Sequence, residues 1–139
     1  YFEAQNLPGF ASWMRAQSEE EIEHAMKLFD FLVDRGIAPE LPGIAKPAHD
    51  FDGAVAAFSA AFEHEKSVTQ QIHRLYELSL EHKDYTAQVL LQWFISEQLE
   101  EEKTTGGILE RLKMVEGSKS ALLILDAELG SRQGDEHAH

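Results

Sequence analysis

Glu19-Glu20-Glu21-Ile22-Glu23-His24-Ala25 is the stretch on which the fold turns. Within it, Glu21 and His24 stand three residues apart, which puts both on one face of a helix. Followed in both directions, that face carries Phe10, Met14, Gln17, Glu21, His24, Leu28 and Leu32, in steps of four and three. Such a run is the core stripe of a bundle helix. A carboxylate buried there without a partner is costly, and a bound cation would remove the cost.

The pattern recurs twice. A second stripe reads Phe58, Ala61, Glu65, Val68, Ile72 and Leu75, interrupted by Glu65. A third reads Leu91, Phe94, Gln98, Glu101, Thr105, Ile108 and Leu112, interrupted by Gln98 and Glu101. Three helices therefore each set oxygen or nitrogen donors between apolar neighbours. Carboxylates with one imidazole suit iron or manganese, and zinc less exclusively.

Composition narrows the field. A chain of 139 residues fits one domain with a real core. It has no cysteine, which excludes a disulfide framework, a thiolate nucleophile and a cysteine zinc site. A net charge of −13 argues against nucleic acid, whose phosphates demand excess Lys and Arg. The same charge favours cations or serves only as a solvated surface. No apolar run approaches the ~20 residues that span a bilayer, and no signal peptide is visible, so the expected setting is cytoplasmic.

Along the chain the expected class is all-α. Residues 1–5 read as the tail of a helix, and Asn6 as the N-cap of the next, with Pro8 in its first turn. That helix is expected over 7–34, stopped by Gly36. Residues 37–50 hold three prolines and Gly43, a connection long enough to cross over between helices running the same way. Asp50 or Asp52 is expected to cap a second helix reaching Glu81. The short turn His82-Lys83-Asp84 predicts a third helix antiparallel to the second, over 84–115. Gly106-Gly107 lies inside it, at a propensity cost of about 2 kcal/mol, and predicts a kink. Ser118 or Ser120 caps a short last helix closed by Gly130, and residues 131–139 read as a disordered polar tail after a domain spanning 1–130.

Read together, these residues resemble a ferritin of the non-haem prokaryotic and archaeal branch. The resemblance rests on the opening stretch, on Glu63-His64-Glu65-Lys66 with Val68-Thr69, and on Gln92-Trp93-Phe94-Ile95-Ser96-Glu97-Gln98. Glu100-Glu101-Glu102-Lys103 follows, and Ala121-Leu122-Leu123-Ile124-Leu125-Asp126-Ala127-Glu128-Leu129 completes it. It implies a ferritin-like four-helix bundle with one long crossover and a short C-terminal helix. The first long helix, with a further glutamate ligand and a tyrosine, would lie upstream of Tyr1. Three apolar stripes would then face an open groove that another copy must cover.

The resemblance also implies roles. Glu21 resembles the glutamate that bridges two irons, and His24 the imidazole ligand of the first. Glu65 resembles the ligand of the second iron, and Gln98 the residue that hydrogen-bonds within that site. Glu20, Glu97, Glu100 and Glu101 match a third, outer iron site. Residues 97, 100 and 101 are independently spaced to share one helical face, where their charges repel unless a cation sits among them. Gln98 stands where the two-motif di-iron enzymes carry a second Glu-x-x-His, and Ile22 where bacterioferritins carry their haem-ligating methionine, so no haem is expected.

The implied function is iron storage and detoxification. Fe(II) is oxidised by O₂ or peroxide at a di-iron ferroxidase centre, and Fe(III) is mineralised inside a homo-oligomeric cage of 24 subunits. Glu23 is a candidate for the inner, iron-attracting surface. Two other readings stand beside it: a cage subunit that nucleates iron without catalysis, and a helical scaffold that binds a partner along its groove. Taken singly, the motifs read more blandly. Glu-x-x-His is often a surface pair, Glu100-Glu101-Glu102 a solvated run, and Trp13, Trp93, Phe94 and Tyr76 core packing. His64, His73 and His82 are expected on exposed helix faces, and His137 and His139 in the tail.

Overall fold

Asp126 and Gly9 lock together the two ends of the described chain. The computed structural model describes residues 1–36 and 51–132. They form α1 (Pro8–Asp34), α2 (Ala54–Glu81), α3 (Tyr85–Met114) and α4 (Lys119–Gly130), with no strand among the described residues. These bounds match the helices expected from the stripes to within two residues. The connection at 37–50 and the tail beyond 132 lie outside the described residues. Among the described residues, no helix is long and apolar enough to cross a membrane. The chain divides into two compact units, one holding α1 and α4, the other residues 51–117 with α2 and α3.

In the first unit, α1 starts without a local side-chain cap. Leu7 is its N-cap residue, Pro8 opens its first turn, and Asn6 instead takes a left-handed φ of 60°. The missing cap comes from far along the chain. Asp126 of α4 accepts the N–H of Gly9 at 3.1 Å and of Phe10 at 2.9 Å. A buried carboxylate at a helix N-terminus satisfies two orphan donors and meets the positive end of the helix dipole. Gly9 permits this approach, since a Cβ there would overlap the Asp126 carbonyl. Residues 1–5 form a turn, with Phe2 stacked on Phe10 at 5.1 Å. At its other end α1 stops at Gly36, whose φ of +77° continues no helix.

The second unit is a helical hairpin. Asp52 does not cap α2, and Asp50 lies outside the described residues: Gly53 is the N-cap residue and makes no side-chain cap bond. Asp84 caps α3 by accepting from the N–H of Ala87 at 3.2 Å. Ser79 meets Gln88, Tyr76 meets Gln92, Glu65 meets Gln98, and Phe62 meets Gly106. One number falls as the other rises, so the helices run antiparallel, as the short turn predicts. α3 continues through Gly106-Gly107 without a break. Gly106 lies against the Phe62 ring, where a Cβ would come within 3.0 Å. Ser118 caps α4 through the N–H of Ala121.

Candidate functional site

Inside the α2–α3 hairpin, the expected interruptions of the apolar stripes are buried. Glu65 is 4% exposed, Gln98 3% and Glu101 7%. Gln98 sits across from Glu65, and its Nε2 lies 3.2 Å from Glu65 Oε2 and 3.1 Å from the Glu65 carbonyl oxygen. The same nitrogen lies 3.1 Å from Thr69 Oγ1, and Thr69 reaches Glu102 Oε2 at 3.0 Å. Every neighbour of that nitrogen is an acceptor or can be one, which assigns the amide orientation chemically. Lys66 does not neutralise Glu65: its Nζ lies 2.6 Å from Glu63 and over the Phe62 ring.

On the next turns of α3, Glu97 is half-buried, and one of its carboxylate oxygens lies within 4.8 Å of one from Glu101. Glu100 points outward and is exposed. The three do share one side of α3 loosely, but only Glu97 and Glu101 are drawn inward. Two carboxylates this close repel each other and form a place where a cation would be stabilised.

In the α1–α4 unit the inward line is shifted from the expected one. Phe10, Trp13 and Gln17 are buried, and Glu20 and His24 are half-buried. Glu21, placed by the sequence stripe among core positions, is exposed. The physical cause is what packs on α1: α4 and Arg132 meet it along Gly9, Trp13, Gln17 and Glu20. The Glu21 side gains no such cover within this unit. Glu20 and His24 stand one turn apart, with His24 Nε2 3.8 Å from Glu20 Oε1.

Sequence reasoning missed Arg132. Residues 131–139 read as a disordered tail, yet Ser131 and Arg132 belong to the described structure, and the Arg132 side chain is 8% exposed. Its guanidinium donates to the Trp13 carbonyl at 3.1 Å, to Gln17 Oε1 at 2.9 Å and to Glu20 Oε2 at 3.1 Å. It also lies 4.3 Å from the centre of the Trp13 ring. In this structure, then, part of the Glu20 charge is balanced by the protein's own cation. Thr69 and Glu102 were missed as well. Trp93 and Phe94 pack edge to face at 4.9 Å, and His64, His73 and His82 are exposed, as the blander readings hold.

Comparison with known proteins gives one answer. The family model described as a ferritin-like domain matches residues 1–115. A probable bacterial non-heme ferritin-like protein of Haemophilus influenzae is 34% identical over 127 residues, 91% of this chain and 77% of that protein. The bacterial non-heme ferritin of Escherichia coli is 32% identical over 123 residues, covering 88% and 74%. Among solved structures, an open pore ferritin from the archaeon Archaeoglobus fulgidus superposes with a TM-score of 0.94 at 44% identity, over 96% of this chain and 82% of that one.

Proposed function

The chain belongs to the ferritin family, and from that premise we propose that it stores iron by oxidising Fe(II) and holding the Fe(III) as mineral inside a cage of its own copies. The observation that carries the reading is the buried Glu65–Gln98 pair. A carboxylate and a neutral amide, both nearly sealed from water, occupy the two facing helices of the hairpin. Lys66, its neighbour in the chain, is turned to Glu63, and a substrate cation is a natural counter-charge for a buried carboxylate such as Glu65.

In this reading Glu21 and His24 of α1 and Glu65 of α2 are ligands of the iron to be oxidised, and Gln98 of α3 adjusts the second iron. Glu20, Glu97, Glu100 and Glu101 take a further iron. Hard carboxylate oxygens stabilise Fe(III) over Fe(II), which favours electron loss, while the imidazole adds a borderline donor. Two Fe(II) supply the two electrons that reduce O₂ to peroxide, or peroxide to water. Because Gln98 carries no charge, the second iron is held less firmly and can move on to the mineral. The excess of acidic residues suits an inner surface that gathers cations.

The test is anaerobic protein given stoichiometric Fe(II), then O₂, with absorbance followed in the near ultraviolet. A fast phase saturating at about two irons per chain is expected. Glu65→Ala and His24→Ala should each slow that phase at least tenfold; unchanged rates in both remove the proposed centre. A second reading has its own support. Glu21 is exposed and Glu20 is engaged by Arg132, which favours a cage subunit that nucleates iron without oxidising it. That reading expects no fast phase but unimpaired mineral growth.

A further inference from the structure

We propose that Thr69, polarised by Glu102, is a positioning residue that sets how firmly Gln98 holds the Glu65 carboxylate. The proposal rests on Glu65 being an iron ligand. It follows from counting hydrogens. The Gln98 amide has two N–H hydrogens and three acceptors within reach: Glu65 Oε2 at 3.2 Å, the Glu65 carbonyl at 3.1 Å and Thr69 Oγ1 at 3.1 Å. One acceptor must go short. The Thr69 hydroxyl has a single hydrogen and two acceptors of its own, the Glu65 carbonyl and Glu102 Oε2, each at 3.0 Å. The carboxylate is the stronger acceptor, so it draws the hydroxyl hydrogen. That turns a lone pair of Thr69 toward Gln98, where it takes one amide hydrogen.

Of the two amide hydrogens, one remains for Glu65, shared between its carbonyl and its carboxylate. The carboxylate is thus oriented by the amide but only partly occupied by it, and keeps its donor strength for a cation. Without the hydroxyl, both amide hydrogens turn to Glu65. Its carboxylate then takes a whole amide hydrogen instead of a shared one and is a poorer ligand. Flipping the amide offers no escape, because it sets the Gln98 oxygen against the Glu65 carbonyl and carboxylate oxygens.

The experiment is calorimetric titration of the full chain with Fe(II) under argon. Thr69→Val removes the hydroxyl at nearly constant shape and should weaken the weaker binding step about tenfold, leaving the tighter step unchanged. Thr69→Ser should restore it to within about twofold. Glu102→Gln should weaken the same step by less, and the double variant should bind no worse than Thr69→Val alone, as expected of residues acting in series. A purely structural role for Thr69 would shift both steps together. The proposal is overturned if Thr69→Val binds like the parent, if Ser fails to rescue, or if the two substitutions add. Glu65→Ala separates the two levels of argument. If it removes the weaker step while Thr69→Val leaves that step alone, only the positioning role falls. If it leaves both steps intact, the metal reading of Glu65 falls and this proposal with it.

Discussion

Arg132 decides what Glu20 can do. Guanidinium is charged at every relevant pH, and here it is held by three acceptors and an indole face. A metal ion approaching Glu20 and His24 must compete with it. Arg132→Met keeps the stem packing and removes the charge. It should raise the affinity of this pair for Zn(II) about tenfold, by calorimetry, against an otherwise unchanged binding isotherm. Equal affinity in parent and variant would show that the guanidinium yields Glu20 at no cost. Asp126 makes the opposite case, a charge whose partner is backbone. Asp126→Ala strips two N–H groups of their acceptor and should lower stability by about 1–3 kcal/mol in chemical denaturation. Neither residue announced its role in the sequence. Arg132 lies 112 residues from Glu20 in a stretch whose composition reads as tail. Asp126 interrupts an apolar run just as Glu65 does, and that interruption was the available signal.

At the level of the helices, two adjacent glycines with identical local chemistry have opposite prospects. Gly107 faces open space, whereas a Cβ on Gly106 would press on Phe62. Gly107→Ala should stabilise by about 1 kcal/mol through helix propensity, and Gly106→Ala should recover little of that, because Phe62 has to shift. Thermal melts of the two variants provide the comparison. Gly9→Ala should do worse than either. It forces α4 off the start of α1, so α4 should become an early target of limited proteolysis. Helix positions were readable because stripe spacing depends only on the chain's own period. Glu65, Gln98 and Glu101 were found buried for the same reason. The caps of α1 and α2 were not readable, since a cap can come from any distance. Glu21 was misjudged because period alone places a face only to within a residue or so, and what packs there decides the rest.

For the molecule as a whole, the charge of −13 has to be reconciled with self-association. Like-charged copies repel at low ionic strength, and salt or divalent cations relieve this within a Debye length. Apolar side chains left open on the described surface, Ile22, Met26 and Val33 of α1 among them, favour contact between copies. Light scattering should therefore report a mass of many chains that grows or holds firm as salt rises. A particle of one or two chains at every salt concentration would leave no cavity to fill and would count against storage.

The ring of Trp13 carries one more consequence. Its face is covered by the same guanidinium that grips Glu20, so whatever evicts Arg132 also uncovers the indole. The protein has two tryptophans. Once Trp93 is replaced by phenylalanine, the fluorescence of the remaining one becomes a native gauge of ion entry, with no dye attached.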